Sequence, residues 1–175
     1  MIELNVCELR DAALSLKAGD AILLSGTLYT ARDAAHKRFA AALSAGKPLP
    51  FPIRNAAIYY AGPTPAPNGL PIGSIGPTTS ARMDPYAPAL YDRGLVATIG
   101  KGARSPAVRE ALIRNKALYL CALGGAGALA CKAVRRAETI AYPDLDCESV
   151  KRLEVIRFPL FVAGDIFGDS IYPDL

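Results

Sequence analysis

With 175 residues, 51% of them hydrophobic, the chain is long enough to bury one good core, and a single domain over residues 1–175 is expected. Its formal net charge of +4, with basic residues dispersed among acids, excludes a basic stripe for nucleic acid. Although the mean hydropathy is +0.22, no uninterrupted apolar run reaches the roughly 18–20 residues that span a bilayer, so no membrane anchoring is expected.

The N-terminus, MIELNVCELRD, carries acidic residues where a secretory leader needs a basic one, and no apolar core follows; the expected location is the cytoplasm. Gly19-Asp20 marks a turn, AILLSG (21–26) a buried strand, and Ala31 to Leu43 a helix ended by Gly46 and Pro48. AAIYYAG (56–62) is a second strand, and PTPAPNGLP (63–71) is a turn-rich loop that cannot be strand interior. In SIGPTTSARMDPY (74–86), Gly76-Pro77 followed by two threonines and a serine predicts a helix N-terminus, with the helix kinked by Pro85 and running to about Arg93. LVATIG (95–100) is a strand, SPAVREALIRN a helix capped by Ser105, KALYLCAL a strand, GGAGALACKAVRRA (124–137) a helix and ETIAY a strand. RLEVIRF, PLFVAGDIFGD and SIYPDL read as strands and turns. Strands alternating with helices predict an α/β domain with parallel pairing, and the extra strands at the end predict a mixed edge or second layer.

Candidate chemistry gathers just after predicted strands, where open α/β sheets bind ligands. Arg82 falls four residues after Thr78, so on a helix a hydroxyl, free N–H groups and a guanidinium would converge as an anion pocket. Arg32 opens the helix after the first strand, and His36, the one histidine, shares its face. Asp33 and Lys37 form an i,i+4 pair; the same segment also fits a plain solvated amphipathic helix. Lys101, between two glycines at a strand end, fits either a turn or a site. Three cations at one sheet edge suit a small substrate with two carboxylates, which Arg grips bidentately. GAGALA (125–130) fits G-x-G-x-x-A, with Asp144 and Asp146 roughly 20 residues on, but a helix packed tightly on the sheet explains the small residues more simply than a dinucleotide does. The four cysteines (Cys7, Cys121, Cys131, Cys147) make no C-x-x-C pair, and no metal site is expected within this chain.

LLSGTLYTARDAAHKR, YYAGPTPAPNGLPIGSIGPTTSARMDPYAPALYDRGLVATIGKG and FPLFVAGD closely resemble the beta subunit of class I, iron–sulfur-dependent hydro-lyases, the fumarate hydratases and L(+)-tartrate dehydratases. The resemblance runs from about Gly19 to the C-terminus. It implies a swivelling β/β/α fold: three layers with a mixed sheet containing parallel strands. It implies reversible hydration of a small dicarboxylate, fumarate to L-malate or the dehydration of L-tartrate to oxaloacetate. It also implies a 4Fe–4S cluster held by a partner alpha subunit, with none bound by this chain, and an assembly with two copies of each chain.

Carried over residue by residue, Thr78 matches the family's catalytic base, and Arg32, Arg82 and Lys101 match substrate-carboxylate ligands. Asp33 and His36 match supporting positions, orienting Arg32 or bonding across the subunit interface, and Thr30 is placed within reach of the ligand. A threonine hydroxyl is a poor base at its free pKa, and three neighbouring cations would favour its ionised form. DLDCESVKRLEV departs from the glycine-containing turn expected of relatives, away from the proposed site. The reading from another class is a stand-alone dicarboxylate-binding or regulatory module without catalysis.

Overall fold

The chain starts with a short strand that its sequence does not advertise, β1 (Ile2–Asn5), followed by a 3-10 turn and one turn of helix, α1 (Leu9–Ala12). The structure, a computed structural model, describes residues 1–67, 69–123, 125 and 127–172. Three strand–helix–strand crossovers follow. β2 (Ala21–Thr30) leads through α2 (Asp33–Ser44) to β3 (Ala57–Tyr59). A long loop and α3 (Ala87–Tyr91) lead to β4 (Ala97–Gly100), and α4 (Pro106–Asn115) leads to β5 (Leu118–Cys121). The single turn α5 (Gly127–Ala130) precedes β6 (Val134–Ala141) and the 15-residue β7 (Val150–Gly164).

β1 to β5 pair in parallel, whereas β7 runs antiparallel to β2, β5 and β6. The order is β1-β2-β3-β4-β5-β7-β6, and the further β2–β7 pairing closes β2, β3, β4, β5 and β7 into a five-stranded ring. The mixed α/β class expected from the alternating pattern is therefore present. Of the mixed edge or second layer expected from the last strands, the mixed pairing is present: β7 and β6 add antiparallel ladders, and among the described residues the strands form one sheet that curls onto itself, which satisfies backbone groups that an open edge would leave unpaired.

Period-2 alternation divides the core. Ala57 and Tyr59, Ala97 and Ile99, and Leu118 and Leu120 join Ile22, Leu24, Leu28, Leu153, Phe158 and Leu160 in one cluster. Ile58, Tyr60 and Tyr119 turn the other way and pack with Ala35 and Phe39 of α2, Leu90 and Tyr91 of α3, and Val108 and Leu112 of α4. Strands buried on both faces need continuous apolar runs, which is what AAIYYA and LVATIG supply.

Three predicted elements are redrawn. The helix expected up to Arg93 is a 3-10 turn, Ser80–Met83, followed by the five residues of α3, because Pro85 and Pro88 interrupt the hydrogen-bond ladder. The helix expected over 124–137 is one turn of α-helix and a 3-10 turn, and Val134 already belongs to β6; Gly124 and Ala126 lie outside the described residues. The tail, read as broken at Pro159, runs through it as β7. Pro159 is exposed opposite Leu23, with Arg157 at φ 52° just before it and the Arg157 N–H donated to Ser25 Oγ at 3.0 Å.

Candidate active site

The crossovers bring the C-terminal ends of β2, β3 and β4 side by side. Thr30 pairs with Tyr59, and Tyr59 with Ile99, so Arg32 and Lys101 each stand two residues beyond one paired row. The Ala31 N–H donates to the Tyr59 carbonyl (3.1 Å) and the Tyr60 N–H to the Ile99 carbonyl (2.8 Å), extending the row. Two strand spacings put the backbones of Arg32 and Lys101 roughly 10 Å apart, with Ala61 and Gly62 between them. Gly62 makes the fit close: a Cβ would lie 3.1 Å from Arg32 Nη1 and 3.2 Å from the Cys147 carbonyl, tighter than ordinary contact.

The Thr78–Ser80 segment crosses the same edge. The Thr78 N–H donates to the Tyr60 carbonyl at 2.7 Å, Thr79 forms a parallel bridge with Lys101, and the Ser80 N–H donates to the Lys101 carbonyl at 2.9 Å. This corrects the expected helix N-terminus: two of the backbone donors assigned to an anion are spent on strand ends, and Thr78 lies outside the short turn that carries Arg82. The approach is close, since a Cβ on Gly100 would collide with Ser80 Oγ. Tyr119 fixes it further, its hydroxyl donating to the Gly102 carbonyl (2.7 Å) and lying 3.0 Å from Ser80 Oγ. From the same residue, the Gly102 N–H donates to Tyr172 Oη at 3.1 Å.

Asp33, the first residue of α2, joins the two arginines. Its Oδ1 accepts from Arg82 Nε at 2.9 Å, and its Oδ2 lies 3.8 Å from Arg32 Nη2. Glu148, in the 3-10 segment before β7, reaches the same nitrogen, which brings part of DLDCESVKRLEV to the site it was expected to lie away from: Oε1 is 3.7 Å from Arg32 Nη2, while Oε2 accepts the Ala34 N–H at 2.8 Å. Arg32 Nε and Asp33 Oδ2 are buried without a hydrogen-bond partner. Lys101 is exposed, and no ion pair engages its ammonium among the described residues.

His36 is fully buried, with Nδ1 2.7 Å from the Arg32 carbonyl and its ring against Tyr60, Phe39 and Tyr86. Burial drives its pKa down to about 4; the bond to Arg32 and the charge of Asp33 oppose that fall, and Arg104 adds to it. At neutral pH the ring is therefore uncharged, and the carbonyl partner places the proton on Nδ1. Its bond is thus to the backbone of Arg32. Thr30 is also fully buried, its hydroxyl donating to the Ser149 carbonyl (3.3 Å) and accepting the Lys151 N–H (3.0 Å), so it ties β2 to β7.

Beneath this edge lies a pair that sequence reasoning missed. Arg104, with 2% of its side chain exposed, donates from Nε to Asp84 Oδ1 (2.6 Å) and from Nη1 to Thr98 Oγ1 (2.9 Å), and stacks over Tyr60 and Tyr119. Asp84 Oδ2 accepts the Ser105 N–H at 2.6 Å, so the turn bearing Arg82 is bolted to the start of α4. Asp84 sits inside a quoted motif and Arg104 just past the end of another, but a contact between the ends of two loops leaves no periodic signal.

A cleft of about 450 Å³ opens beside the cation group rather than through it, between Pro63–Pro71 and the β6–β7 ribbon, with Cys147 and Lys151 on its wall. The cysteines are scattered: Cys121 Sγ meets Tyr172 Oη at 3.1 Å, Cys131 Sγ meets the Ala128 carbonyl at 3.0 Å, and Cys7 and Cys147 are exposed. Among the described residues no group of three or more His, Cys, Asp or Glu side chains could hold a metal ion, so this donor set does not fit an iron–sulfur cluster. No described helix is long and apolar enough to cross a membrane.

Residues 1–175 match the family model described as Fumarase C-terminus. The chain is 42% identical over 154 residues to mitochondrial fumarate hydratase 1 of Leishmania major, and 39% identical over 154 residues to the anaerobic class I fumarate hydratase of Escherichia coli K12. Each match covers 87% of this chain and 28% of the relative, so the chain spans little more than a quarter of these fumarate hydratases. It is 33% identical over 161 residues to the L(+)-tartrate dehydratase subunit beta of Escherichia coli K12, covering 89% of this chain and 79% of that subunit.

Proposed function

Because the chain belongs to the Fumarase C-terminus family, we propose that it is the beta part of a hydro-lyase that adds water to, or removes it from, a small dicarboxylate: fumarate to L-malate, or L-tartrate to oxaloacetate. The observation that carries this reading is the row of cations at one sheet edge with donors still unspent. Arg82 commits only Nε to Asp33, and Arg32 Nη2 stands 3.7–3.8 Å from two carboxylates, too far for a directed hydrogen bond. Two guanidiniums and an ammonium held this way are suited to grip two carboxylate groups.

In this proposal Thr78 Oγ1 takes the proton from the substrate carbon during dehydration and returns it during hydration. Its backbone is fixed by the Tyr60 carbonyl, which favours a constant distance to the carbon, and the nearby positive charge lowers the cost of the alkoxide-like state. The cations hold the substrate and stabilise charge that builds on its carboxylate as the C–H bond breaks. Departure of the hydroxyl lies outside what these side chains do. We assign it to a partner alpha subunit carrying a 4Fe–4S cluster, in an assembly with two copies of each chain. The open cation edge supports this reading, as does the likeness to a dehydratase beta subunit. The swivelling β/β/α class belongs to the same proposal, supported by a sheet curled onto itself with α2, α3 and α4 packed together on one of its faces.

The test is anaerobic co-production with the candidate alpha chain, cluster reconstitution, and turnover of fumarate and L-tartrate by the wild type and Thr78→Ala. Turnover that needs both chains and falls by several orders of magnitude in the variant is expected. A reconstituted pair that turns over neither compound would refute the substrate assignment. If no pair forms and this chain alone binds dicarboxylates, the stand-alone binding module replaces the enzyme.

A further inference from the structure

The N-terminus of α2 lacks a cap of its own. Its N-cap residue is Arg32, whose side chain has no acceptor oxygen and makes no capping bond. Glu148 supplies what is missing from far along the chain: Oε2 accepts the N–H of Ala34, the second residue of the helix, at 2.8 Å. The same carboxylate turns Oε1 toward Arg32 Nη2 at 3.7 Å. Both side chains are about one-quarter exposed, 23% for Arg32 and 24% for Glu148, so the pair faces solvent on one side only. Gly62 packs against the Arg32 side chain, where a Cβ would come within 3.1 Å of Nη1 and 3.2 Å of Cδ.

One carboxylate thus sets two things that Arg32 needs, the start of its helix and the lateral position of its guanidinium. Asp33 shares only the second of these: its Oδ2 stands 3.8 Å from the same Nη2 but makes no hydrogen bond to the start of the helix, and its Oδ1 is taken by Arg82. At 3.7 Å the attraction orients Arg32 without saturating its donors, which leaves N–H groups to present to an incoming carboxylate.

We propose that Glu148 is a positioning residue that holds Arg32 in register for one carboxylate of the substrate. This rests on the dicarboxylate reading of the site. It acts through Arg32 and has no contact of its own with the reacting carbon. Its loss should therefore weaken ground-state and transition-state binding together, raising KM more than it lowers kcat.

The experiment uses the reconstituted two-chain enzyme with whichever of fumarate and L-tartrate the wild type turns over, comparing Glu148→Ala, Glu148→Gln, Arg32→Ala and the double variant Glu148→Ala/Arg32→Ala. Glu148→Ala is expected to raise KM about tenfold with kcat within threefold of wild type. Glu148→Gln, which keeps an acceptor for the Ala34 N–H and loses the charge, is expected to fall between. In the double variant the Glu148 change should add less than twofold to the Arg32→Ala defect, because it has no guanidinium left to position. Unchanged KM in Glu148→Ala, or effects that multiply in the double variant, would overturn the inference while leaving the dicarboxylate reading intact. Absence of dicarboxylate turnover in the wild-type pair would overturn that reading and this inference with it.

Discussion

Asp84→Ala removes one partner of the Arg104 pair and should be among the most damaging single changes in this chain. Asp84 accepts two bonds of 2.6 Å, from Arg104 Nε and from the Ser105 N–H. Arg104 cannot turn to water: 2% of its side chain is exposed, and its guanidinium carbon lies 5.4 Å from the centre of the Tyr60 ring and 4.8 Å from that of Tyr119. Removing one partner of a buried ion pair costs about 3–5 kcal/mol because the other charge is left uncompensated. Against a total stability of about 5–15 kcal/mol, that is a large fraction. For a chain of this length each kcal/mol moves Tm by about 2–4 °C, giving an expected fall of roughly 6–20 °C. Urea unfolding should show a lower midpoint with an unchanged m-value, and the thermal melt should report the Tm. Asp84→Ala/Arg104→Met removes both charges from an apolar, aromatic setting and should recover part of the loss. A single-variant loss below about 1 kcal/mol, or a double variant no more stable than the single, would refute the claim that Arg104 is a buried charge balanced by Asp84.

Three further outcomes follow from the geometry. His36 has a folded-state pKa of about 4 against 6.5 for an exposed ring, so between those values the unfolded chain binds a proton that the folded chain does not. Its stabilising contribution is complete above pH 6.5 and is lost as pH falls toward 4, by about 2 kcal/mol at pH 5; urea midpoints at pH 7 and pH 5 should differ by that much less in His36→Phe, and an equal pH dependence would refute it. Gly62→Ala places a methyl 3.1 Å from Arg32 Nη1 and should raise KM for the dicarboxylate roughly tenfold, about 1.4 kcal/mol, with little change in Tm; steady-state kinetics beside a thermal melt separates the two. Thr30→Val strands the Lys151 N–H and should cost about 1–3 kcal/mol in urea unfolding with KM unchanged, whereas an altered KM would return Thr30 to the ligand.

Local pattern made much of this molecule legible. The strands at AILLSG, AAIYYAG and LVATIG are apolar runs bounded by breakers, and the Ser105-Pro106 start of α4 is in place, with Ser105 Oγ accepting the Val108 N–H. Arg32 and Lys101 were readable as strand-end residues, and the structure sets them at the ends of β2 and β4, one on either side of β3. What escaped was decided by distant contacts. VRRAETIA contains good helix formers, yet it pairs with β7 from Val134 onward, and that pairing overrides local preference. The Thr78–Met83 segment bears the residues of a capped helix, but its N–H groups found the Tyr60 and Lys101 carbonyls first. Ring closure depends on β7 meeting both β2 and β5, a fact of topology with no signature in either strand. Glu148 escaped for the same reason: one of its partners, Ala34, lies 114 residues away in sequence, and its own neighbours look like an ordinary loop.

The charge pattern at the sheet edge has a consequence for how a ligand enters. Arg32, Arg82 and Lys101 face two carboxylates, Asp33 and Glu148, so the cluster carries a net positive charge of one before any ligand arrives. Had Asp33 and Glu148 formed close bidentate pairs with the arginines, an incoming dicarboxylate would have had to break those bonds, each charge-assisted and about twice as strong as a neutral one. Instead Arg82 gives up a single nitrogen, and Arg32 is held at 3.7 and 3.8 Å, where attraction persists and no directed bond is broken. Orientation is thereby supplied in advance while the donors stay available, which is the arrangement that lowers the ordering cost of binding. The buried, unpartnered Nε of Arg32 belongs to the same pattern, a donor kept dry rather than satisfied. Unmet hydrogen-bonding capacity in this part of the fold therefore lies beside the residues proposed to receive the substrate.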